Sequence, residues 1–300
     1  MHPPIRILQL SDTHFLEDGT EAEGGEGAYD TDAAFDAVMA DVGAHDELDL
    51  VVVTGDVADN GRPDEYRKAA EAFSRFTVPV NVCPGNHDNL GFYTARLARP
   101  GVGTSRVVEV GPWAFVFVES SAATMTEHAS GITVDPPGQV RLHSNGGLGP
   151  RESAWVRRTL DAIDAEFIFV WLHHPPAPPV AMAHDEEYAR EWEALLIDEP
   201  RVRGMGAGHT HIPDDYVFAG RPVMVAPSLK NNFSLEDRTW LPPGYRTYEF
   251  GPDGSVTSEV HLVDDERWPR RPFGRLIHSY FTGELSFEQM AEIIARRRGE

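Results

Sequence analysis

Five short apolar runs in this chain each end abruptly in a turn crowded with histidine, aspartate or asparagine, and that pattern restricts the fold more than any other feature. Ile5-Arg6-Ile7-Leu8-Gln9-Leu10 leads into Ser11-Asp12-Thr13-His14, and Leu48 to Val53 into Thr54-Gly55-Asp56-Val57-Ala58-Asp59. Val78 to Cys83 leads into Pro84-Gly85-Asn86-His87-Asp88, Phe167 to Leu172 into His173-His174-Pro175-Pro176, and Val202 to Ala207 into Gly208-His209-Thr210-His211. β-Branched and aromatic runs of this length, bounded by glycine and proline, predict strands. Polar groups gathered at a strand end are costly unless something satisfies them, and a metal ion or an anionic substrate would do so. One such turn alone decides little, because Asn, Gly and Asp also build ordinary turns and caps.

Helical spacing fills the gaps between the runs. Asp30-Thr31-Asp32 supplies cap chemistry for a helix through about Val42, with Phe35, Val38, Met39 and Val42 as its core stripe. Pro63 to Phe76, Leu90 to Ala98, Pro150 to Ile163 and Glu186 to Ile197 read the same way. Alternation of strands and helices implies right-handed crossovers and a largely parallel central sheet. Hairpins at Arg106–Val110/Trp113–Val118, Tyr216–Ala219/Pro222–Ala226 and Tyr245–Phe250/Val256–Val263 add antiparallel strands, expected as a second set. The carboxyl ends of parallel strands share one rim, so Asp12, His14, Asp56, Asn86, His87, His173, His209 and His211 should meet in one cleft. Six of the 13 histidines lie in these five turns, which scattered surface histidines would not do.

Composition limits the chemistry. The formal charge of −22 repels nucleic acid and anionic membranes, so neither is an expected partner. A small phosphorylated substrate stays compatible, because bound cations reverse the potential inside a cleft. No apolar run approaches the ~20 residues that span a bilayer, and a cytoplasmic protein is expected. Cys83 is the single cysteine and sits in an apolar run, which argues for a buried thiol and against redox chemistry. Lys68 and Lys230 are the only lysines, a skew that by itself suggests no function. Two stretches lack periodicity: the acidic, Gly-rich loop 16–31, and the excursion 120–149, whose His128 and His143 read as solvent-exposed. Imidazoles, one amide and carboxylates without thiolate suit Mn, Fe, Zn, Co or Ni, and exclude calcium or a four-cysteine zinc site. So many ligands exceed what one open catalytic ion takes and suit two ions sharing a carboxylate.

With these residues in view, the chain resembles the calcineurin-like metallophosphoesterases, whose pattern is D-x-H, GD-x-x-D, GNH-D/E, a later H near Pro, and GH-x-H. Asp12-Thr13-His14, Gly55-Asp56 with Asp59, Gly85-Asn86-His87-Asp88, His173-His174-Pro175 and Gly208-His209-Thr210-His211 supply every element in order. Thr54 to Gly61, Leu172 to Pro176 and Pro243-Gly244-Tyr245-Arg246 look most like the bacterial class III cyclic-nucleotide phosphodiesterases. The resemblance covers about Ile5 to Val260. It implies an α/β (α+β) four-layer αββα sandwich of two mixed β-sheets flanked by helices. It also implies a domain over 1–264, with 16–31 and 120–149 as insertions and 265–300 as a C-terminal extension.

The resemblance further implies that Asp12, His14 and His211 hold one metal ion, Asn86, His173 and His209 hold a second, and Asp56 bridges them. Both ions are expected to be divalent or trivalent Mn, Fe, Zn or Co. A metal-bridging hydroxide would attack phosphorus, with His87 and Asp88 as catalytic groups and His174 and Asp59 facing substrate or supporting the ligands. His87 would stabilise developing charge or protonate the leaving alkoxide, while capping of a turn is an equal alternative for Asp88 and Asp59. The implied reaction is hydrolysis of a small phosphodiester, foremost a 3',5'-cyclic nucleotide. The alternatives are a phosphomonoesterase on the same site and a non-catalytic metal-binding scaffold. Substrate choice should reside in the acidic loop, the 120–149 excursion and Leu229 to Trp240. In the tail, Ser286-Phe287-Glu288-Gln289 reads as a capping-box start of a helix, with Phe287, Met290, Ile293 and Ile294 along one side. That stripe packs on its own domain or, as the second reading, forms a homodimer contact.

Overall fold

The computed structural model describes residues 3–17, 30–43, 47–121, 127–128, 131–132, 146–268, 270–286, 289–290, 292–293 and 296. Strands β1 (Ile5–Leu10), β2 (Leu50–Thr54) and β3 (Val80–Cys83) run parallel, connected through helices α1 (Thr31–Val42) and α2 (Pro63–Phe73). Helix α3 (Leu90–Leu97) leads to the two-residue strand β4 (Val102–Gly103) at one edge. At the other edge β15 (Gly244–Phe250) pairs antiparallel with β1, and β16 (Val256–Leu262) pairs with β15, giving the order β16-β15-β1-β2-β3-β4.

A second six-stranded sheet has the order β11-β12-β10-β9-β6-β5. Its parallel strands are β6 (Trp113–Phe117), β9 (Phe167–Trp171), β10 (Val202–Ala207) and β12 (Arg221–Val225). Strands β5 (Val107–Val110) and β11 (Asp214–Phe218) close its edges as antiparallel hairpin partners. Helices α4 (Gly149–Ala162) and α5 (Glu186–Leu196) connect β6 to β9 and β9 to β10. Two-residue strands β7 (Glu127–His128) and β8 (Gly131–Ile132) pair with each other.

The parallel strands therefore form two sheets instead of one, and the hairpins lie at sheet edges instead of forming a separate set. Strand parity explains why. In β1, Ile5 and Ile7 pack between the sheets with Trp113, Phe115, Phe169, Trp171, Tyr248 and Phe250, whereas Leu8 and Leu10 pack under α1 and α2. In β2, Leu50 and Val52 take the inner side and Val51 and Val53 the helical side. Side chains alternate faces along a strand, so a run apolar at every position is buried on both faces. A third core joins Ile168 and Val170 to Leu160 of α4 and Trp192 of α5. Three cores make four layers, the αββα sandwich.

Beyond β16 the chain returns to the hairpin β13 (Asn232–Ser234)/β14 (Thr239–Leu241). Trp240 donates its N–H to the Arg271 carbonyl at 2.8 Å, and Phe273 donates to Arg238 at 2.9 Å. Helix α6 (Arg275–Phe281) then buries Phe281 with Phe233, Trp240 and Phe273, and packs the half-buried Ile277 against them. Neither this hairpin nor α6 has a counterpart in the sequence reading. The expected capping box is formed: Ser286 donates to Gln289 Oε1 at 2.8 Å and Gln289 returns its N–H to Ser286 Oγ at 3.3 Å. Phe287, Ile294, His143, the side chain of His128 and most of the two expected insertions lie outside the described residues. Among the described residues no helix is long and apolar enough to cross a membrane.

Candidate metal centre

Five strand ends, three from the first sheet and two from the second, bring their polar turns together. Asp12 and His14 follow β1, Asp56 follows β2, Asn86 and His87 follow β3, His173 and His174 follow β9, and His209 and His211 follow β10. Ligand-capable atoms of Asp12, His14 and His211 lie within 4.8 Å of one another, as do those of Asp12, Asp56 and His173 and those of His173, His174 and His209. His211 Nε2 lies 3.1 Å from Asp12 Oδ1, and His173 Nε2 lies 3.1 Å from Asn86 Oδ1. Asp56 sits between the groups, with Oδ2 3.5 Å from His14 Nε2 and 3.3 Å from His173 Nε2. His87 Nε2 is 4.0 Å from the same oxygen, and the His87 N–H donates to Asp56 Oδ1 at 2.9 Å.

The other ring nitrogen of each imidazole fixes which nitrogen faces the cluster. His173 Nδ1 donates to the Thr54 carbonyl at 2.8 Å, leaving its Nε2 lone pair inward. His87 Nδ1 donates to the Asp59 carbonyl at 2.7 Å. His211 Nδ1 is held by Asn231 Oδ1. His174 differs. Ser120 Oγ accepts the N–H groups of His173 and His174 at 3.2 and 3.0 Å and lies 2.9 Å from His174 Nδ1. With both hydroxyl lone pairs used, the Ser120 proton points at His174 Nδ1, so a neutral His174 carries its own proton on Nε2. Of the two adjacent histidines, His173 is the one with a lone pair to offer.

Backbone geometry shows what the clustering costs. Asp12, His14, Asp56, His209 and His211 have φ of 52°, 43°, 48°, 70° and 55°, the left-handed region that non-glycine residues seldom enter. Two glycines make room for the carboxylates. A Cβ at Gly85 would stand 2.2 Å from Asp56 Oδ1, and one at Gly208 would stand 1.8 Å from Ser11 Oγ and 2.6 Å from Asp12 Oδ2.

Burial disfavours charge on Asp12 and Asp56, but the imidazoles around them override it and hold both carboxyls well below the usual range. Burial likewise opposes a proton on His173, yet Asp56 and Asp12 raise it to about 9, so without a cation its Nε2 carries a proton that a bound ion would displace. His14 is pushed down to about 3 by burial and by the Lys230 ammonium, and His209 to about 3 by burial and His173. Two ionised carboxylates among buried imidazoles form a pocket that attracts cations. The Nε2 of His14, 1% exposed, has no hydrogen-bond partner among the described residues, as a nitrogen reserved for a metal would not. Donor chemistry, spacing and this orphaned nitrogen all fit metal ions held from the two sides of Asp56.

Asp88 and Asp59 make the contacts that their second readings describe, one capping a turn and the other lying against a ligand-capable histidine. Asp88 accepts N–H groups from Gly85 (2.9 Å), Val57 (3.2 Å) and Ala58 (3.2 Å), the turn-capping alternative. Burial, with Asp56 nearby, pushes its carboxyl up to about 7, but both oxygens are spent on the turn. Asp59 Oδ1 lies 3.0 Å from His14 Nδ1 and accepts from Lys230 Nζ at 2.6 Å. Ser120, Lys230 and Asn231 are not among the site residues read from the sequence, although all three lie in segments expected to set substrate choice. A signal exists for the latter two: Pro222 to Ala226 is another apolar run that ends in polar residues, Ser228-Leu229-Lys230-Asn231-Asn232.

Comparison with known proteins agrees with this geometry. The sequence pattern of the family described as calcineurin-like phosphoesterase matches residues 5–213. The chain is 29% identical over 276 residues to the 3',5'-cyclic adenosine monophosphate phosphodiesterase CpdA of Escherichia coli, covering 88% of this chain and 92% of that protein. It is 25% identical over 244 residues to the probable glycerophosphodiester phosphodiesterase GpdQ of Arcobacter nitrofigilis, covering 77% and 81%. Among solved structures, GAP50, the anchor in the inner membrane complex of Plasmodium, superposes with a TM-score of 0.60 at 12% identity, over 90% of this chain and 89% of that one. That likeness is one of fold.

Proposed function

Because the chain belongs to the calcineurin-like phosphoesterase family, we propose that it hydrolyses a small phosphodiester, foremost a 3',5'-cyclic nucleotide, at a two-metal centre. The observation that carries the reading is Asp56, whose Oδ2 is shared between His14 Nε2 at 3.5 Å and His173 Nε2 at 3.3 Å. On this reading Asp12, His14 and His211 hold one ion, Asn86, His173 and His209 hold the other, and Asp56 bridges. Mn, Fe, Zn and Co all suit this donor set. Bound there, two such ions would lower the proton affinity of water and neutralise the phosphoryl charge.

The chain's own groups do the rest. His87 presents Nε2 to the cluster with its Nδ1–H fixed on the Asp59 carbonyl, so a protonated ring can deliver a proton to a departing oxygen. The alkoxide leaving group of an alkyl diester is poor and gains most from such a donor. Asp88 keeps the turn carrying Asn86 and His87 against the end of β2, and His174 presents Nε2–H as a donor. CpdA and GpdQ, the two relatives, are both named for diester hydrolysis, which supports a diester over a monoester.

A direct test compares a bis-aryl phosphate, a mono-aryl phosphate and cyclic AMP with Mn, Fe, Zn and Co, using Asp56→Ala and His87→Ala as controls. Turnover of the diesters should exceed that of the monoester, and His87→Ala should lose most on cyclic AMP. Monoester turnover far above diester turnover would replace the reading with a phosphomonoesterase.

A further inference from the structure

Lys230 lies 11% exposed at the edge of the metal centre, where its ammonium donates to Asp59 Oδ1 at 2.6 Å. Asp59, 8% exposed, also lies 3.0 Å from His14 Nδ1. Ligand-capable atoms of His14, Asp59 and His87 fall within 4.8 Å of one another, a further cation-binding group beside the two halves already described. A carboxylate buried among imidazoles either receives a cation or has its charge met by the protein. Here an ammonium meets it. An ammonium carries three donors and no lone pair, so it neutralises a carboxylate without ligating anything.

The backbone that carries Lys230 is tied to the same half of the centre. Its N–H donates to Ser228 Oγ at 2.9 Å, Ser228 Oγ donates to the Asp12 carbonyl at 3.3 Å, and the next residue, Asn231, holds His211. We propose that Lys230 is a positioning residue that acts as a resident cation: it holds Asp59 beside His14 Nδ1 and keeps that carboxylate from binding metal, so the centre takes two ions and not three. The inference rests on the two-metal reading above.

Titration of the apoprotein with Mn and with Zn by calorimetry, together with metal counts after gel filtration, tests it on wild type, Lys230→Met, Lys230→Arg and the double variant Lys230→Met/Asp59→Asn. Wild type should bind two equivalents. Lys230→Met should bind a third, or, with the repelling ammonium gone, bind one of its two about tenfold or more tighter. Lys230→Arg should match wild type, and adding Asp59→Asn should return Lys230→Met to the wild-type count. If thermal melting shows that Lys230→Met does not fold, Lys230→Gln takes its place with the same expected result. Unchanged count and affinity in the neutral variant, or loss of an equivalent, overturns the proposal while the two-metal reading stands. A wild type that binds no metal overturns both.

Discussion

The two halves of the proposed metal centre meet at Asp56 and differ in how their expected ligands are held. On one side Asp12, His14 and His211 all sit on left-handed backbone, and each is tied to another side chain. Ser11 donates to Asp12 at 2.6 Å, Asp59 lies against His14, and Asn231 holds His211. On the other side only His209 is left-handed. His173 lies two residues past the end of β9, its ring on the Thr54 carbonyl and its own carbonyl accepting from Gly208 at 2.9 Å. A left-handed non-glycine residue costs about 1–2 kcal/mol, so the first half, with three such residues against one, depends more on the side chains that hold its rings and carboxylate. The lesson is that ligands placed by regular strand geometry borrow rigidity from the sheet, whereas ligands on strained turns depend on their neighbours. Side-chain deletions outside the ligand set should therefore act mainly on the Asp12/His14/His211 half.

The largest effect should come from the residue common to both halves. Asp56→Ala removes the carboxylate placed between His14 and His173, and phosphodiester turnover should fall by about three orders of magnitude or more, with loss of both metal equivalents. If metal counting finds one equivalent still bound at wild-type affinity, the halves are independent and Asp56 is not shared. Gly208→Ala should come next. A methyl placed 1.8 Å from Ser11 Oγ and 2.6 Å from Asp12 Oδ2 has to displace the Asp12 carboxylate. Overpacking of this kind costs about 1–3 kcal/mol, seen as a lower melting temperature, and the Asp12 half should lose its ion first.

Asn231→Ala replaces no expected ligand and tests the contrast itself. His211 loses the acceptor that fixes its Nδ1–H, and deletions of such supporting groups typically cost about 10–100-fold in metal affinity. One equivalent should weaken by that factor in calorimetry while the other keeps its affinity. Equal weakening of both would mean that Asn231 holds the whole cleft and not one half.

What could be read from the sequence divides along the same line. Strand ends are legible because a buried run must stop where polar residues begin, and Asp12, His14, Asp56, Asn86, His173, His209 and His211 were all found that way and are brought together. The split into two sheets was illegible from the runs alone: strands buried on both faces carry no alternation to show which layer each face meets, and only family resemblance supplied it. Asp88 was ambiguous, because a carboxylate that caps a turn has the same local sequence as one that faces a substrate. Ser120 and Asn231 were missed because they act on side chains 54 and 20 residues away. The Asn232–Ser234/Thr239–Leu241 hairpin and α6 escaped notice because each is short and finds its apolar partners elsewhere in the chain, in the other and in Val180, Ile212 and Phe273.

Ser120→Ala should have the smallest effect on metal, for a reason that isolates the second half. The hydroxyl accepts the N–H groups of both His173 and His174, so alanine leaves buried backbone donors without their acceptor. An unsatisfied buried donor costs about 1–3 kcal/mol, which for a chain of this size lowers the melting temperature by several degrees. His173 Nε2 nevertheless stays aimed at the cluster, because its Nδ1–H remains on the Thr54 carbonyl and its own carbonyl still accepts the Gly208 N–H. Metal affinity should therefore change by less than about threefold, well short of the 10–100-fold loss expected where a supporting partner of a metal ligand is removed. Diester turnover should fall modestly, through a His174 ring freed from its hydroxyl partner. The opposite pattern, unchanged melting with a tenfold or greater loss of one metal equivalent, would show that the second half also depends on a side-chain clamp, and the distinction between the two halves would collapse.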